Sequence, residues 1–188
     1  MKGHLVNIAN RFNESFPSFS PPYSEFSPGY RIIDNFSDRF SFNVCDKEKD
    51  NKYHAYQLDE MVLKLLPFPS TTIIASDTSI KNNVATSILH TYVYNRLITK
   101  TIYHAVHVTS TEAELFAIRC SINQASNLDN MSKIIVITDS IHVARKIFEP
   151  SVHLYQVQSA TILSDLHSFF KHHENNSIKF WECPSYLK

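Results

Sequence analysis

The chain has 188 residues, 43% hydrophobic and 12% aromatic, which is enough apolar material for one core and too short a chain for several domains. Eighteen Lys and Arg balance eighteen Asp and Glu, so bulk charge advertises neither nucleic acid nor a membrane surface, and no apolar run approaches the ~20 residues of a membrane span. Glycine occurs only at Gly3 and Gly29, which argues against P-loop nucleotidases, dinucleotide-binding Rossmann units and glycine-loop kinases, all of which need glycines where backbone amides approach phosphate.

The N-terminus, MKGHLVNIANRFNESF, lacks the apolar core of a secretory signal. Cys45, Cys120 and Cys183 are an odd number at wide spacing, the pattern of reduced thiols in an intracellular protein rather than of a disulfide framework or a zinc site. Residues 1–70 read as a poorly structured linker carrying one short helix. The stretch FPSFSPPYSEFSPGY, residues 16–30, mixes Pro and Ser with aromatics and cannot run as helix or central strand. DKEKDNK, residues 46–52, is a solvated charge cluster. After it Ala55, Leu58, Val62 and Leu65 recur at helical spacing, predicting an amphipathic helix over about 53–66 that Pro67 and Pro69 stop.

From residue 71 the pattern changes. TTIIASD (71–77), VATSILHTYVY (84–94) and LITKTIYHAVHV (97–108) alternate as strands. Asn82-Asn83 and Asn95-Arg96 lie between them, and Asn tolerates the positive φ of tight hairpin turns. A helix over about 111–126, an apolar strand KIIVIT (133–138), a short helix near 141–148 stopped by Pro150, a helix near 156–173 and a strand SIKFWEC at 178–183 complete the order. Three meandering strands followed by α-β-α-β predict an α/β domain over residues 71–188. Its mixed sheet would be antiparallel at one edge and parallel at the other, with helices on both faces.

Three carboxylates stand at element ends in this scheme. Asp77 closes the first strand on the face of Ile73 and Ala75, Asp139 closes KIIVIT, and Glu114 projects from the first turns of the intervening helix in line with Ile118 and Ile122. Adjacent strands one and four would bring the two aspartates together, with Glu114 lowered between them. Three such acids repel one another unless a cation neutralises them, and hard oxygen ligands favour Mg²⁺ or Mn²⁺. A pair of these ions about 3.5–4 Å apart is the usual apparatus of phosphodiester hydrolysis. Each acid also has a plainer reading: Thr111-x-x-Glu114 fits a capping box, Asp139 fits an N-cap, and Asp77 fits a turn.

Asp77-Thr78-Ser79, AELFAI around Glu114 and TDS at Asp139 resemble, in this order, the motifs of the type 1 ribonuclease H family. IASDTSIKNNVATSI, VTSTEAELFAIRCSINQA and IIVITDSIHVARKIF are most similar to the ribonuclease H region of fungal non-LTR retrotransposon reverse transcriptase polyproteins. The likeness covers about residues 70–188. It implies a ribonuclease H-like fold, Mg²⁺ (or Mn²⁺) dependence and endonucleolytic cutting of RNA in an RNA–DNA hybrid. It also implies a reverse transcriptase domain of the same polyprotein as partner. Asp77, Glu114 and Asp139 would be the metal ligands, and Ser79, Ser110 and Thr111 fall where family members touch the nucleic-acid backbone. Two positions depart from the family. Thr78 stands where Gly is usual, and the fourth carboxylate belongs to a helix beyond the final strand, where this sequence ends at WECPSYLK. Asp165, Glu174 and Glu182 do not match that position. The expectation is a C-terminally truncated domain that lacks the final helix, with weak or absent activity in isolation. The alternative is an inactive relic or nucleic-acid-binding module.

Ten histidines include the neighbours His172-His173, but no Cys/His set has structural-zinc spacing. Lys81, Lys100, Arg145 and Lys146 are candidate phosphate contacts. From residue 71 onward ten Lys and Arg face nine Asp and Glu, predicting feeble, salt-sensitive hybrid binding.

Overall fold

The structure, a computed structural model, describes residues 35–184 apart from 47, 66–67, 95, 107 and 149–155. The Pro- and Ser-rich stretch at 16–30 lies outside the described residues. In chain order the elements are β1 (Phe40–Asn43), α1 (Asn51–Leu65), β2 (Thr71–Lys81), β3 (Val84–Val93), β4 (Arg96–Val106), α2 (Ser110–Ser126), β5 (Lys133–Thr138), α3 (Ile141–Ile147), α4 (Gln156–His172) and β6 (Ser177–Glu182). The six strands form one sheet in the order β1-β6-β5-β2-β3-β4. β2, β3 and β4 are an antiparallel meander, while β2, β5, β6 and β1 run parallel. The mixed sheet expected from the element order is therefore present.

Two turns hold the meander. Asn82 and Asn83 take φ of 53° and 61°, the left-handed pair that a two-residue hairpin needs and that Asn accepts at low cost. At the second turn the positive φ falls on Tyr94 (50°), and Arg96 already belongs to β4. The expected turn at Asn95-Arg96 is thus displaced by one residue toward the N-terminus.

The sheet divides the core in two. On one face Ile74, Leu89, Ile134, Val136, Ile178 and Phe180 pack with Leu115, Ile118 and Ile122 of α2, Ile147 of α3, and Ile162, Leu166 and Phe170 of α4. On the other, Ile73, Ile135, Ile137 and Cys183 pack with Met61 of α1, flanked by Leu58, Val62 and Leu65. Those α1 residues recur three and four apart, and their stripe is the apolar face read from the sequence. α1 reaches only part of this second face. On β4, Ile102 and Val106 are 50% and 61% exposed.

Residues 35–70 do not stand apart from the rest; the described chain belongs to one compact unit, residues 32–188. Phe40–Asn43, assigned to the linker by the sequence reading, is a sixth strand that runs parallel to β6 from Phe40↔Ile178 to Asn43↔Trp181. Phe40 stacks on Phe148 at 4.4 Å and Phe42 on Phe180 at 5.3 Å between ring centroids, so both aromatics join the larger core. Burial of two Phe side chains is what makes so short an edge strand hold.

Candidate active site

β2 continues past Asp77 to Lys81, because β3 pairs with it as far as Lys81↔Val84. Asp77 is therefore inside the strand, not at its end as the sequence suggested. The pairing of β2 with β5 is shorter and stops at Ala75↔Ile137. Asp77 and Asp139 each follow that last pair by two residues, so the in-phase register leaves them level with one another. Neighbouring strands are about 4.8 Å apart, so the two aspartates stand on neighbouring backbones just past the end of the β2–β5 ladder. The Ser76 hydroxyl donates to the Ile137 carbonyl at 3.3 Å just where the ladder ends. The turn after β5 is pinned as well: the Cys183 amide donates to the Thr138 carbonyl at 2.9 Å, and the Ser140 amide to the Thr138 hydroxyl at 3.1 Å.

α2 carries the third acid. β4 leaves the sheet at Val106, which pairs with Val84, itself opposite Lys81 at the end of β2. α2 therefore starts beyond the Lys81 end of the meander, four residues past Asp77 along β2. Thr109 is the N-cap, and its capping box closes with Glu112: the Glu112 amide donates to the Thr109 hydroxyl at 3.3 Å, and the Thr109 amide donates to Glu112 Oε2 at 2.8 Å. A capping box does exist, but two residues earlier than Thr111-x-x-Glu114, which leaves Glu114 outside it. Glu114 is only 9% exposed and lies between the buried Ala113 and Leu115. A carboxylate buried to that degree needs a favourable partner or a functional reason.

The plainer readings of the aspartates also change. The N-cap of α3 is Ser140, not Asp139, and its side chain makes no cap hydrogen bond; its hydroxyl donates to Asp139 Oδ1 at 3.4 Å. Asp77 is in a regular strand opposite Ile88 and is exposed.

The approach directions differ. By strand alternation Asp77 belongs with Ile73 and Ala75 on the α1 face, whereas α2 carries Glu114 over the opposite face. They can meet only beyond the last β2–β5 rung. Among the described residues no three His, Cys, Asp or Glu side chains are gathered closely enough to hold a metal ion. The strand register levels Asp77 with Asp139 and does not extend to Glu114. In donor chemistry the set fits a hard divalent cation, since all three donors are carboxylates.

Ser79 is exposed on β2, two residues beyond Asp77. Ser110 and Thr111, expected just ahead of the helix, form its first turn; Ser110 is exposed and Thr111 half-buried. Lys81 and Lys100 are exposed, and Arg145 lies 5.8 Å from the Phe42 ring centroid. Glu182, at the end of β6, accepts the Cys45 amide at 2.8 Å, while the Cys45 thiol donates to its carbonyl at 3.1 Å. Burial, followed by the nearby Glu182 carboxylate and Cys183, pushes the Cys45 thiol up to about 11. The sequence offered no signal for this contact, because it depends on β1.

The chain has the ribonuclease H-like fold. No family model and no curated protein matches the sequence. Among solved structures, RNase H1 from the halophilic archaeon Halobacterium salinarum is similar with a TM-score of 0.50 at 11% identity, over 62% of this chain and 88% of that one. The N-terminal RNase H domain of rv2228c from Mycobacterium tuberculosis, solved as a maltose-binding protein fusion, gives 0.49 at 14%, over 62% and 84%. The protease-reverse transcriptase of prototype foamy virus gives 0.45 at 17%, over 60% of this chain and 18% of that one. No described helix is long and apolar enough to cross a membrane.

Proposed function

We propose that this domain is a divalent-metal-dependent endonuclease acting on the RNA strand of RNA–DNA hybrids, within a retrotransposon-type reverse transcriptase polyprotein. The observation that carries this reading is the register that levels Asp77 with Asp139 just past the last β2–β5 pair. The motif order and the fold support it. Asp77, Glu114 and Asp139 would hold Mg²⁺ or Mn²⁺, which when bound supplies an activated water and neutralises charge on the leaving oxygen. Asp77 is the exposed member, on the open part of the sheet where a duplex can approach. Glu114 is the buried member, fixed in height by the Thr109–Glu112 box. Ser79, Ser110 and Thr111 offer hydroxyl donors, and the first amides of α2 offer backbone donors, to phosphate oxygens along that approach.

The second reading, a binding module without turnover, draws on the absence of a formed three-carboxylate group among the described residues. One experiment separates the two. An RNA–DNA hybrid is incubated with the protein with and without Mg²⁺, beside Asp139→Asn. The enzyme reading requires metal-dependent cleavage that the variant loses while still binding hybrid. Equal cleavage by both proteins, or none with hybrid bound, removes it.

A further inference from the structure

The parallel strands have a second end, and it carries the opposite charge. A cleft of about 570 Å³ opens there between α1 and the start of β5 and β6. Lys133 opens β5, and Asp139 follows its last residue, so the Lys133 end of the cleft is removed from that acid by about 20 Å of extended chain, and Trp181, opposite Ile137, lies at its other limit. Four cations line it, Arg39, Lys64, Lys133 and Lys179, against two carboxylates, Asp38 and Glu60. This excess is local, since the chain as a whole is neutral.

Not all four are equally available. Lys64 is paired with Glu60 at 3.1 Å. The Arg39 guanidinium donates to the carbonyls of Phe170 at 2.9 Å and His173 at 3.3 Å, which commits it to the C-terminal end of α4. Lys133 and Lys179 have no carboxylate within salt-bridge distance among the described residues. They project from one face of adjacent strands, Lys133 opposite Ser177 and Lys179 opposite Ile135. Each rests on an aromatic ring instead, Lys133 at 5.6 Å from Phe68 and Lys179 at 4.6 Å from Trp181. Desolvation, and then the charge of Lys133, hold the Lys179 ammonium below the usual lysine range. A like-charged pair on a half-buried sheet face is a standing electrostatic cost, and an anion between the two ammonium groups relieves it.

We propose that this cleft is a phosphate-binding site, in which Lys133 and Lys179 clamp one phosphoryl group. A dianion matches two neighbouring ammonium groups better than a carboxylate does. The assignment does not depend on the nuclease reading, because none of these residues belongs to the acid tip.

Trp181 is the sole tryptophan, so its fluorescence reports on this cleft directly. The full chain is titrated at constant ionic strength with pyrophosphate, AMP and an RNA–DNA hybrid, alongside Lys133→Gln, Lys179→Gln, Lys179→Arg and Asp139→Asn. Circular dichroism and Tm confirm that each variant is folded. Pyrophosphate should change the emission saturably, each Gln variant should weaken binding about tenfold or more, and Lys179→Arg should retain most of it. Asp139→Asn should bind as wild type. Competition by AMP would assign the phosphate to a free nucleotide, and competition by the hybrid alone to a nucleic-acid backbone. No saturable change in emission or in ³¹P line width, or the same affinity in folded Gln variants, overturns the proposal.

Discussion

The two faces of the sheet do different work. The face under α2, α3 and α4 is closed to solvent by Ile74, Leu89, Val136, Ile162, Leu166, Phe170 and Phe180, each 1% exposed or less. The face under α1 is thin: Met61, Ile73 and Ile137 keep 7–9% exposure, and beyond β2 the covering helix is gone. Asp77 emerges at this open margin, level with Asp139. Stability therefore resides mainly on one face, while the proposed chemistry falls where packing is sparse and a large polyanion has room. A site that must admit a duplex cannot also be sealed by a core.

This contrast can be broken first through packing. Phe180→Ala removes a ring that stacks on Phe42 in the larger core, and chemical denaturation should show a loss of about 3–5 kcal/mol. Met61→Ala on the thin face should fall at the low end of the range for buried aliphatic truncation, about 2 kcal/mol. Equal losses would contradict the division of labour. Next comes the tip. Asp139→Asn should reduce metal-dependent hybrid cleavage by about 10²–10³-fold, with a Tm close to that of wild type, because the residue is half-buried and outside both clusters. Thr109→Ala opens the capping box and should cost about 1 kcal/mol by denaturant unfolding.

The smallest effect concerns Cys45. Its thiol is raised from 9.0 to about 11, so the folded state holds the proton more tightly than the unfolded chain. Stability from this group is fully present below pH 9 and declines as pH rises from about 9 to about 11. At pH 8 its alkylation by iodoacetamide should run slower than that of an unperturbed thiol, as thiolate is scarce. Glu182→Gln, which removes one cause of the shift, should speed it.

Most of the sheet was legible because its signals are local. Alternation in residues 84–93 and 96–106, Asn82-Asn83 at the turn before the first of them, and the apolar run KIIVIT each encode their element within a few residues. β1 was not legible: FSFN is four residues long, and its partner β6 lies about 138 positions later in the chain. The capping box was read in the wrong phase for a related reason. Thr109-x-x-Glu112 and Thr111-x-x-Glu114 are equally good local patterns, and the place where β4 leaves the sheet decides between them. For the site, the sequence supplied the three acids and their order. It could not supply the Ala75↔Ile137 end of pairing, which levels the two aspartates, nor the fact that Glu114 arrives from the opposite face. The lysines at the far end escaped notice because Lys133 and Lys179 become neighbours only when β5 and β6 pair.

The claim on which the rest depends is that these carboxylates share divalent ions. Crystals of the wild-type chain soaked in Mn²⁺, examined by anomalous scattering, test it without recourse to activity. The account predicts Mn²⁺ at the tip of β2 and β5, bridged by Asp77 and Asp139 with Glu114 turned toward it, and a second ion about 3.5–4 Å away once hybrid is bound. Mn²⁺ absent from that tip at saturating concentration, or held by one aspartate with the other turned away, would contradict it.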